Sequence, residues 1–558
     1  MGAVTRFLQE DHCGSSQSGI GALQVPLQIF ITLSIMKKIY EILKEFFFYS
    51  GEEKKYLGSK IPDLKLEEKE SDSILLVDLP HVSNQLVENL AVAKYLSDEG
   101  GLKPCFYQPN VYYANRSPWI RFIGRCVSGY MKSPRLAKRL GFSHGLSLSS
   151  VSKVDFYKRD KILGEALKSI VSKDDLIDYK VKNVEVGRAV YDTYLRVTKS
   201  VTVDLESSRL RQLLDEAILL LCVSERVFSE NNVKCLVLGH SVYNNWQIIS
   251  DVGINFGAKV YVTFNSRFPP LHAVHENRGL QTIDHTQYRK AFSELSEVER
   301  VRSIEKGKEL VENRLKGVLD DGVVYMAKSA YSSDSEHLTL DVQSGRRPLV
   351  FMLHAFSDSP HIYKDMVFPD FWEWIVQSLD FIRDRGLTKS YEIYLKPHPN
   401  RFEYEDKFIS QLDDMYEFIN ILNDDFNNKK LVEFNPAAIV SVYGSVAAEF
   451  TAMGVPVILC GDNPTAAYDF AFNAANKDAY FGLLENSERL EVDKEKVEQV
   501  YEFMYMHYIH NSKLSFDEYP FKRWRPREVT NGGFNCRYRD FSYPEFSRQL
   551  DRFFHENS

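Results

Sequence analysis

A histidine between two prolines is the first feature of the sequence that suggests chemistry. The segment YLKPHPN, Tyr394–Asn400, holds His398 between Pro397 and Pro399. Because each proline fixes its own backbone φ angle, the loop should hold the imidazole in one direction. An imidazole held in this way donates a hydrogen bond to a phosphate oxygen and stabilises a leaving nucleotide, and Lys396 adds positive charge nearby. The simpler interpretation is a loop histidine between two turn prolines.

A second segment, YGSVAAEFTAMGVPVILCGDNP at Tyr443–Pro464, has the pattern of a strand end, a glycine turn and a helix. The predicted helix begins near Ser445, whose hydroxyl is expected to cap it. Free backbone N–H groups and the positive end of the helix attract an anion, and Gly444 lets a phosphate approach the backbone closely. Glu449 lies about one helical turn further on, on the same face as Ser445. An ordinary strand–turn–helix unit is the alternative interpretation.

Both segments follow short apolar runs that have the length of buried parallel strands. In the second half these runs are Pro348–Leu353, Tyr391–Leu395, Ala438–Val442 and Val455–Leu459. Helical patterns separate them, as at Phe371–Arg385, and this alternation predicts an open, parallel α/β sheet. Ligands bind such sheets at the carboxyl ends of the strands. We therefore expect His398 and the glycine turn to meet at one sheet edge.

The first half repeats the alternation and predicts a second sheet. Its strands are expected at Ile74–Leu79, Pro104–Gln108, Val233–Leu238 and Lys259–Phe264, and the region from about 130 to 230 is mainly helical. Polar residues that follow three of these strands are expected to open on a cleft at the carboxyl ends of the sheet: His81, Asn84, His240, Tyr243, Arg267. His240 is the main candidate for an acid/base role, and a loop histidine bonded to the backbone is the alternative. Asp78, at the end of its strand, is a candidate base, and a solvated carboxylate is the favoured interpretation.

The order of these motifs is similar to that of a known family. KPHP followed by S-x-x-G-S-x-x-x-E-x-x-x-x-G-V-P-V-I resembles the donor half of bacterial GT-B glycosyltransferases for capsule and other surface polysaccharides, including Kdo transferases and sialyltransferases. LHAFSDSPH, Leu353–His361, with Phe371–Trp374 after it, also resembles the opening of that donor domain. The similarity extends over about 350–490. It departs from the family pattern at Tyr443, where a small or hydroxyl residue is common.

The resemblance implies a GT-B fold, in which two Rossmann-like α/β domains face each other across a cleft. It implies that His398 contacts the donor phosphate and that Gly444–Ser445 hold the phosphates at the start of a helix. Glu449 is then expected to reach the nucleotide ribose or the sugar. Ser357 and Asp358 are expected to line the floor of the cleft, with the loops of the first half on the acceptor side.

Four parts of the chain are predicted. Residues 1–71 form an N-terminal extension and linker, 72–345 the acceptor-side domain with a helical insertion, 346–490 the nucleotide-sugar-binding domain, and 491–558 a C-terminal helix and crossover tail. The uncharged stretch Gly19–Met36 has about the minimum length of a membrane span, although Pro26 and two glutamines weaken it. A second interpretation starts translation at Met36 and places an amphipathic helix on an anionic membrane surface. In a third, that helix packs on its own domain.

Composition excludes several classes of function. The 558 residues include 69 Lys and Arg against 77 Asp and Glu, a net charge of −8, which argues against a dedicated nucleic-acid-binding protein. Seven scattered cysteines without CxxC spacing indicate reduced thiols in the cytoplasm. No DxD motif follows a predicted strand convincingly, so the sequence predicts no metal site and no bound cofactor.

These patterns together predict a cytoplasmic glycosyltransferase, peripherally associated with the inner face of the plasma membrane. It is expected to move a sugar from a nucleotide-sugar donor, with a CMP-linked sugar among the candidates, to a surface polysaccharide or glycolipid. One alternative moves glycerol phosphate or ribitol phosphate from a CDP donor with a similar His-Pro loop. Another is a non-catalytic partner in capsule assembly or export that keeps the fold, and a sugar-nucleotide epimerase is a third.

Overall fold

A computed structural model of the chain describes two sheets and the helices that cover them. The described residues are 61–66, 70–79, 83–107, 132–143, 151–263, 271–273, 285–318, 329–331, 345–363, 365–399, 401–510, 543–544, 547–548 and 550–551. The stretch Gly19–Met36 and the alternative start at Met36 lie outside them. Among the described residues, no helix is both long and apolar enough to cross a membrane.

The first sheet has five strands in the order β2-β1-β3-β4-β5. They are β1 (Ser73–Asp78), β2 (Lys103–Tyr107), β3 (Asn232–Leu238), β4 (Lys259–Thr263) and β5 (Leu271–Ala273). The first four run parallel, and β5 pairs antiparallel with β4. Because the chain order reverses between β1 and β3, the loops after these two strands open on one crevice.

Helices cover the first sheet, and some of them also contact the second half of the molecule. They are α1 (Ser83–Gly100), α2 (Lys132–Arg139), α3 (Lys153–Ser169), α4 (Lys173–Asp178), α5 (Val186–Thr198), α6 (Ser208–Glu230) and α7 (Asn244–Asn255). The apolar face of α6 packs against α3, α5 and α7 at the centre of this half. Gly187 lets α5 touch the end of α4, because a Cβ there would lie 1.6 Å from the carbonyl oxygen of Leu176.

The second sheet has six parallel strands in the order β8-β7-β6-β9-β10-β11. They are β6 (Arg347–Met352), β7 (Tyr391–Lys396), β8 (Ile419–Ile421), β9 (Ala438–Ser441), β10 (Val457–Leu459) and β11 (Phe472–Asn473). Numbered from β6, this is the order 3-2-1-4-5-6 of the Rossmann fold, and the order reverses between β6 and β9. The predicted α/β fold with two Rossmann-like sheets is confirmed.

The helices of the second sheet include two that come before it in the chain. They are α8 (Tyr288–Ser293), α9 (Glu297–Leu315), α10 (Phe371–Arg385), α11 (Asp406–Met415), α12 (Asn428–Glu433), α13 (Val446–Ala452), α14 (Lys477–Glu485) and α15 (Lys494–Tyr505). Tyr288 and Val311 share one buried core with β6, β9 and α15, although they precede the predicted boundary at 345/346. Near the chain end, Asp551 accepts a 2.6 Å hydrogen bond from Tyr95 in α1.

Candidate functional site

Two histidines stand at matching positions after the central strands of the second sheet. Met352 ends β6 and pairs with Lys396, which ends β7, and each is followed two residues later by a histidine, His354 or His398. Burial lowers the pKa of His398 to about 4. Burial and, to a smaller extent, the nearby His398 lower the pKa of His354 to about 3. Both rings are therefore neutral at pH 7, with one N–H donor each.

Aromatic packing fixes the position of His354. Its ring stacks on that of Phe371 with 4.2 Å between centroids, and the ring centroid of Tyr443 lies 4.8 Å away. The Nε2 atom of His354 lies 3.2 Å from the hydroxyl oxygen of Ser441, the last residue of β9. His354 is not among the site residues predicted from the sequence. Its distance from its strand end, equal to that of His398, is the signal that identifies it.

The glycine turn lies at the end of β9, on the other side of β6. Gly444 has a φ angle of +127°, which residues with side chains rarely adopt, and a Cβ there would meet no described atom within 4 Å beyond its chain neighbours. Ser445 precedes α13, but its hydroxyl makes no capping hydrogen bond, so the predicted cap is wrong. Its backbone is already helical (φ −62°, ψ −22°), whereas a capping residue is typically extended.

Two of the predicted donor-binding side chains are buried among protein partners. Glu449 in α13 accepts a 2.7 Å hydrogen bond from the hydroxyl of Tyr331 and lies 3.8 Å from the guanidinium of Arg314. Lys396 donates to the carbonyl oxygen of Phe426 at 2.6 Å and also to the side chain of Asn428. Burial lowers the pKa of Lys396 to about 8. These contacts support the fold, and a direct role of Glu449 or Lys396 in binding a donor stays a prediction.

Ser357 and Asp358 follow β6 in the same loop and have opposite surroundings. Ser357 is fully buried, and both its backbone N–H and its hydroxyl donate to a carboxylate oxygen of Glu405, at 2.9 and 2.8 Å. The side chain of Asp358 is exposed and lies 3.7 Å from the guanidinium of Arg196 in α5. The negative charge of Asp358 also favours the protonated form of His398, which places the two groups near each other. Asp358 thus stands where the two halves meet.

Tyr243 brings the first half to this loop. Its hydroxyl accepts a 2.6 Å hydrogen bond from Ser359 and donates a longer one, 3.5 Å, to Asp358. Its φ angle of +72° is unusual for a residue with a side chain and turns the chain sharply into α7. Burial raises the pKa of its hydroxyl. The structure therefore brings one predicted acceptor-side residue into contact with one predicted donor-side residue.

His240 and Asp78 lie together in the crevice of the first sheet. The backbone N–H groups of Ser241 and Val242 both donate to Nδ1 of His240, at 3.0 and 3.2 Å. The neutral ring consequently carries its proton on Nε2, where it acts as a donor and not as a base. Asp78 accepts a 2.7 Å hydrogen bond from Trp246, and burial raises its pKa to about 6. The expectation of a solvated Asp78 is wrong, because Gly239 of the loop after β3 and Trp246 of α7 both contact its buried carboxyl.

Three further predicted residues cannot be placed with the others. His81 and Arg267 lie outside the described residues. Asn84 belongs to the first turn of α1, but its side chain is also outside them. Within the described part of the chain, no three histidine, cysteine, aspartate or glutamate side chains are grouped as metal ligands.

The described residues thus assemble a polar edge at the point where the strand order reverses. Two neutral imidazoles, His354 and His398, follow β6 and β7, and the open turn at Gly444 follows β9. Neutral N–H donors and free space above a backbone suit an anion that approaches from the strand ends. Tyr243 and Asp358 close this edge from the junction between the halves.

Comparison with known proteins gives no family. No protein-family model and no curated protein matches the chain. Among solved structures it is similar to Thermosulfurimonas dismutans KpsC, a beta Kdo 2,4 transferase, with 12% identity, 50% of this chain and 85% of that chain covered, and a TM-score of 0.29. It is also similar to the UDP-GlcNAc 2-epimerase of Neisseria meningitidis (11% identity, 77% and 98% covered, TM-score 0.23). A third is a glycotransferase of kitacinnamycin (9% identity, 80% and 96% covered, TM-score 0.22).

Proposed function

We propose that the protein is a glycosyltransferase whose second half binds a nucleotide sugar. The observation that carries the proposal is the convergence of His398, His354 and Gly444 at the carboxyl ends of three adjacent strands. The strand order reverses there, which is where open α/β sheets bind nucleotides. A neutral imidazole donates to a phosphate oxygen, and the glycine turn lets a phosphate approach its backbone. These groups stabilise the negative charge that grows on the phosphate as the sugar leaves.

In this proposal the first half of the protein binds the acceptor substrate. Tyr243 already contacts the loop that carries Asp358, and His240 lies in the neighbouring crevice. Holding donor and acceptor between two halves aligns the acceptor hydroxyl with the anomeric carbon and removes water that would hydrolyse the donor. The chemistry uses imidazoles and backbone N–H groups, and we propose that no divalent ion or bound cofactor is needed.

The finer assignment follows the motif resemblance. We propose a surface polysaccharide or glycolipid as acceptor, CMP-linked sugars among the donors to be tested first, and peripheral contact with the inner face of the plasma membrane. Product mass separates glycosyl transfer from transfer of a polyol phosphate. A mass increment of glycerol phosphate or ribitol phosphate on the acceptor would contradict the sugar assignment.

Nucleotide binding tests the proposal directly. Thermal unfolding is measured with CMP, CDP, UDP, GDP and dTDP, and we expect at least one of them to raise the melting temperature. His398→Ala should weaken that nucleotide about 10-fold to 100-fold, because it removes a hydrogen bond to a charged group. His510→Ala, at the end of the helical segment Met506–His510 that follows α15, serves as the matched control and should respond like the wild type. No stabilisation by any of the five nucleotides would refute the proposal, and EDTA should leave the response unchanged.

A further inference from the structure

A small pocket lies where α4 and α5 of the first half meet the loop after β6. Its volume is about 160 Å³. Ile177 from α4 and Met366 and Phe368 from the loop give it apolar walls. A cavity of about 150 Å³ is large enough to hold a benzene-sized ring. The pocket therefore has room for one six-membered ring, such as a single sugar unit.

A buried histidine–aspartate pair forms the polar wall of this pocket. Nδ1 of His361 lies 2.7 Å from a carboxylate oxygen of Asp192, and the two side chains are 2% and 0% exposed. A carboxylate only accepts hydrogen bonds, so Nδ1 of His361 carries a proton, and the neutral form of the ring has a lone pair on Nε2. Nε2 is buried and has no hydrogen-bond partner among the described residues. A buried acceptor in a pocket wall calls for a donor from a ligand, such as a hydroxyl group.

The pair exists only when the two halves of the molecule are together. Asp192 belongs to α5, whereas His361 follows β6 in the second half. The same loop carries Asp358, whose charge is felt by His398. The carbonyl oxygen of Pro360, next to His361, accepts a hydrogen bond from Tyr443, which precedes the glycine turn. The pocket is thus joined through one loop to the edge that we assign to the donor.

The charges around the pocket indicate an uncharged ligand. Asp174, Asp178 and Asp365 line it, against one cation, Arg188. Arg188 is buried and already faces Glu185 and Asp365, while its Nε is buried without a described hydrogen-bond partner and can donate to one ligand oxygen. An anionic ligand would be repelled by the three carboxylates. Carboxylates accept hydrogen bonds from hydroxyl groups, so a neutral sugar ring fits both the charge and the walls.

Resting on the glycosyl transfer proposed above, we infer that this pocket binds a neutral sugar unit of the acceptor and that His361 is the base of the reaction. The acceptor hydroxyl gives its proton to Nε2, and its oxygen forms a bond to the anomeric carbon of the donor. The bond from that carbon to the phosphate oxygen breaks, and its electron pair stays on the phosphate. Asp192 then stabilises the imidazolium through Nδ1–H, the arrangement in which a carboxylate orients a histidine base. His240 cannot take this role, because two backbone N–H groups occupy its Nδ1.

Sugar binding can be measured without turnover. Saturation-transfer NMR on the full-length protein compares methyl galactoside with methyl galacturonoside, which differ in a carboxylate. We expect the galactoside to bind and the galacturonoside to bind more weakly. Ile177→Phe fills the pocket and should abolish the signal, whereas Leu167→Phe, on exposed α3 surface, should keep it. Absence of galactoside binding in the wild type, or equal binding by Ile177→Phe, would overturn the inference.

Turnover tests the role of His361. With the nucleotide sugar that stabilises the protein most and methyl galactoside as acceptor, His361→Gln and Asp192→Asn should lower kcat about 100-fold or more. The melting-temperature response to the nucleotide should persist in both variants, which shows that they fold and bind donor. A KM change alone, with kcat kept, would overturn the base assignment. If no nucleotide stabilises the wild type but galactoside binding still depends on Ile177, the proposed function fails while the sugar pocket stands.

Discussion

His354 and His398 share one physical condition, which is a ring kept neutral by burial beside another imidazole. A neutral ring donates one N–H without carrying a positive charge that the free site would have to solvate. When an anion arrives, it favours the protonated form and raises the pKa of both rings. The pair is therefore suited to receive negative charge that grows during a reaction, which is the role expected at a leaving phosphate.

The low pKa of His354 predicts how stability depends on pH. The pKa of His354 falls from 6.5 to about 3 on folding. Between these two pH values the unfolded chain therefore binds a proton at His354 that the folded chain excludes. The contribution of neutral His354 to the free energy of unfolding is complete above pH 6.5 and is lost as the pH falls. Lowering the pH from 7 to 5 should reduce the free energy of unfolding by about 2 kcal/mol through this group alone. Urea unfolding at pH 7 and pH 5 measures this loss of stability, which should be about 2 kcal/mol smaller in His354→Gln than in the wild type. Equal losses in the wild type and the variant would contradict the prediction.

The positions of candidate residues were predictable from the sequence where the local backbone restricts them. The prolines around His398 and the glycine turn at Gly444 restrict the local backbone, and both segments follow strands that end at the same edge of the sheet. The pairing of His361 with Asp192 could not be predicted in this way, because Asp192 lies 169 residues earlier in the chain. Nor does a motif reveal that Glu449 is already held by Tyr331, since that contact comes from a distant segment.

At the scale of elements, the turn between β9 and α13 depends on one glycine. Gly444→Ala places a side chain on a φ angle of +127° and should destabilise the fold by about 1–3 kcal/mol through backbone strain. The added methyl group meets no described atom beyond its chain neighbours, so crowding adds nothing in the free protein. Chemical unfolding measures the loss, and the nucleotide response should weaken as well, because the methyl group occupies the space over the turn.

Gly482→Ala is the matched control for that substitution. Gly482 lies inside α14 without a positive φ, and its Cβ would also meet nothing within 4 Å among the described residues. Alanine is the better helix former, so this variant should gain about 0.5–1 kcal/mol. If the free energy of unfolding falls in Gly444→Ala and rises in Gly482→Ala, the loss at Gly444 comes from its backbone φ angle. A loss of the same size at both positions would contradict that explanation.

Strands with a continuous apolar run were predictable, and short edge strands were not. The predicted run at Pro348–Leu353 is shifted by one residue at both ends from β6, and the run at Tyr391–Leu395 is one residue shorter than β7. The strands β8 and β11 have only three and two residues and no apolar run. Only their pairing with neighbouring strands makes them part of the sheet, and the sequence pattern does not indicate that pairing. The same limit applies to β5, which pairs antiparallel and therefore lies outside the βαβ pattern.

At the scale of the whole molecule, α5 forms the junction between the two halves. Its side chains meet the region between β6 and α10 at successive turns, in the pairs Arg188–Asp365, Tyr191–Asp370, Asp192–His361 and Arg196–Asp358. The outer pairs include exposed carboxylates and are worth little, whereas the two inner pairs are buried on both sides. The sheets were predictable from the sequence, but this junction was not, because it pairs polar residues from segments without a shared pattern.

The buried inner pairs predict that the two halves unfold together. The hydroxyl of Tyr191 donates to the carboxyl of Asp370, which also begins α10, so Tyr191→Phe leaves a buried acceptor with one partner fewer. We expect this substitution to cost about 1.5–3 kcal/mol and to lower the melting temperature in calorimetry. Tyr157→Phe on exposed α3 surface should change stability by less than about 0.5 kcal/mol. Two separate transitions in the wild type, or an unchanged melting temperature in Tyr191→Phe, would show that α5 does not couple the halves.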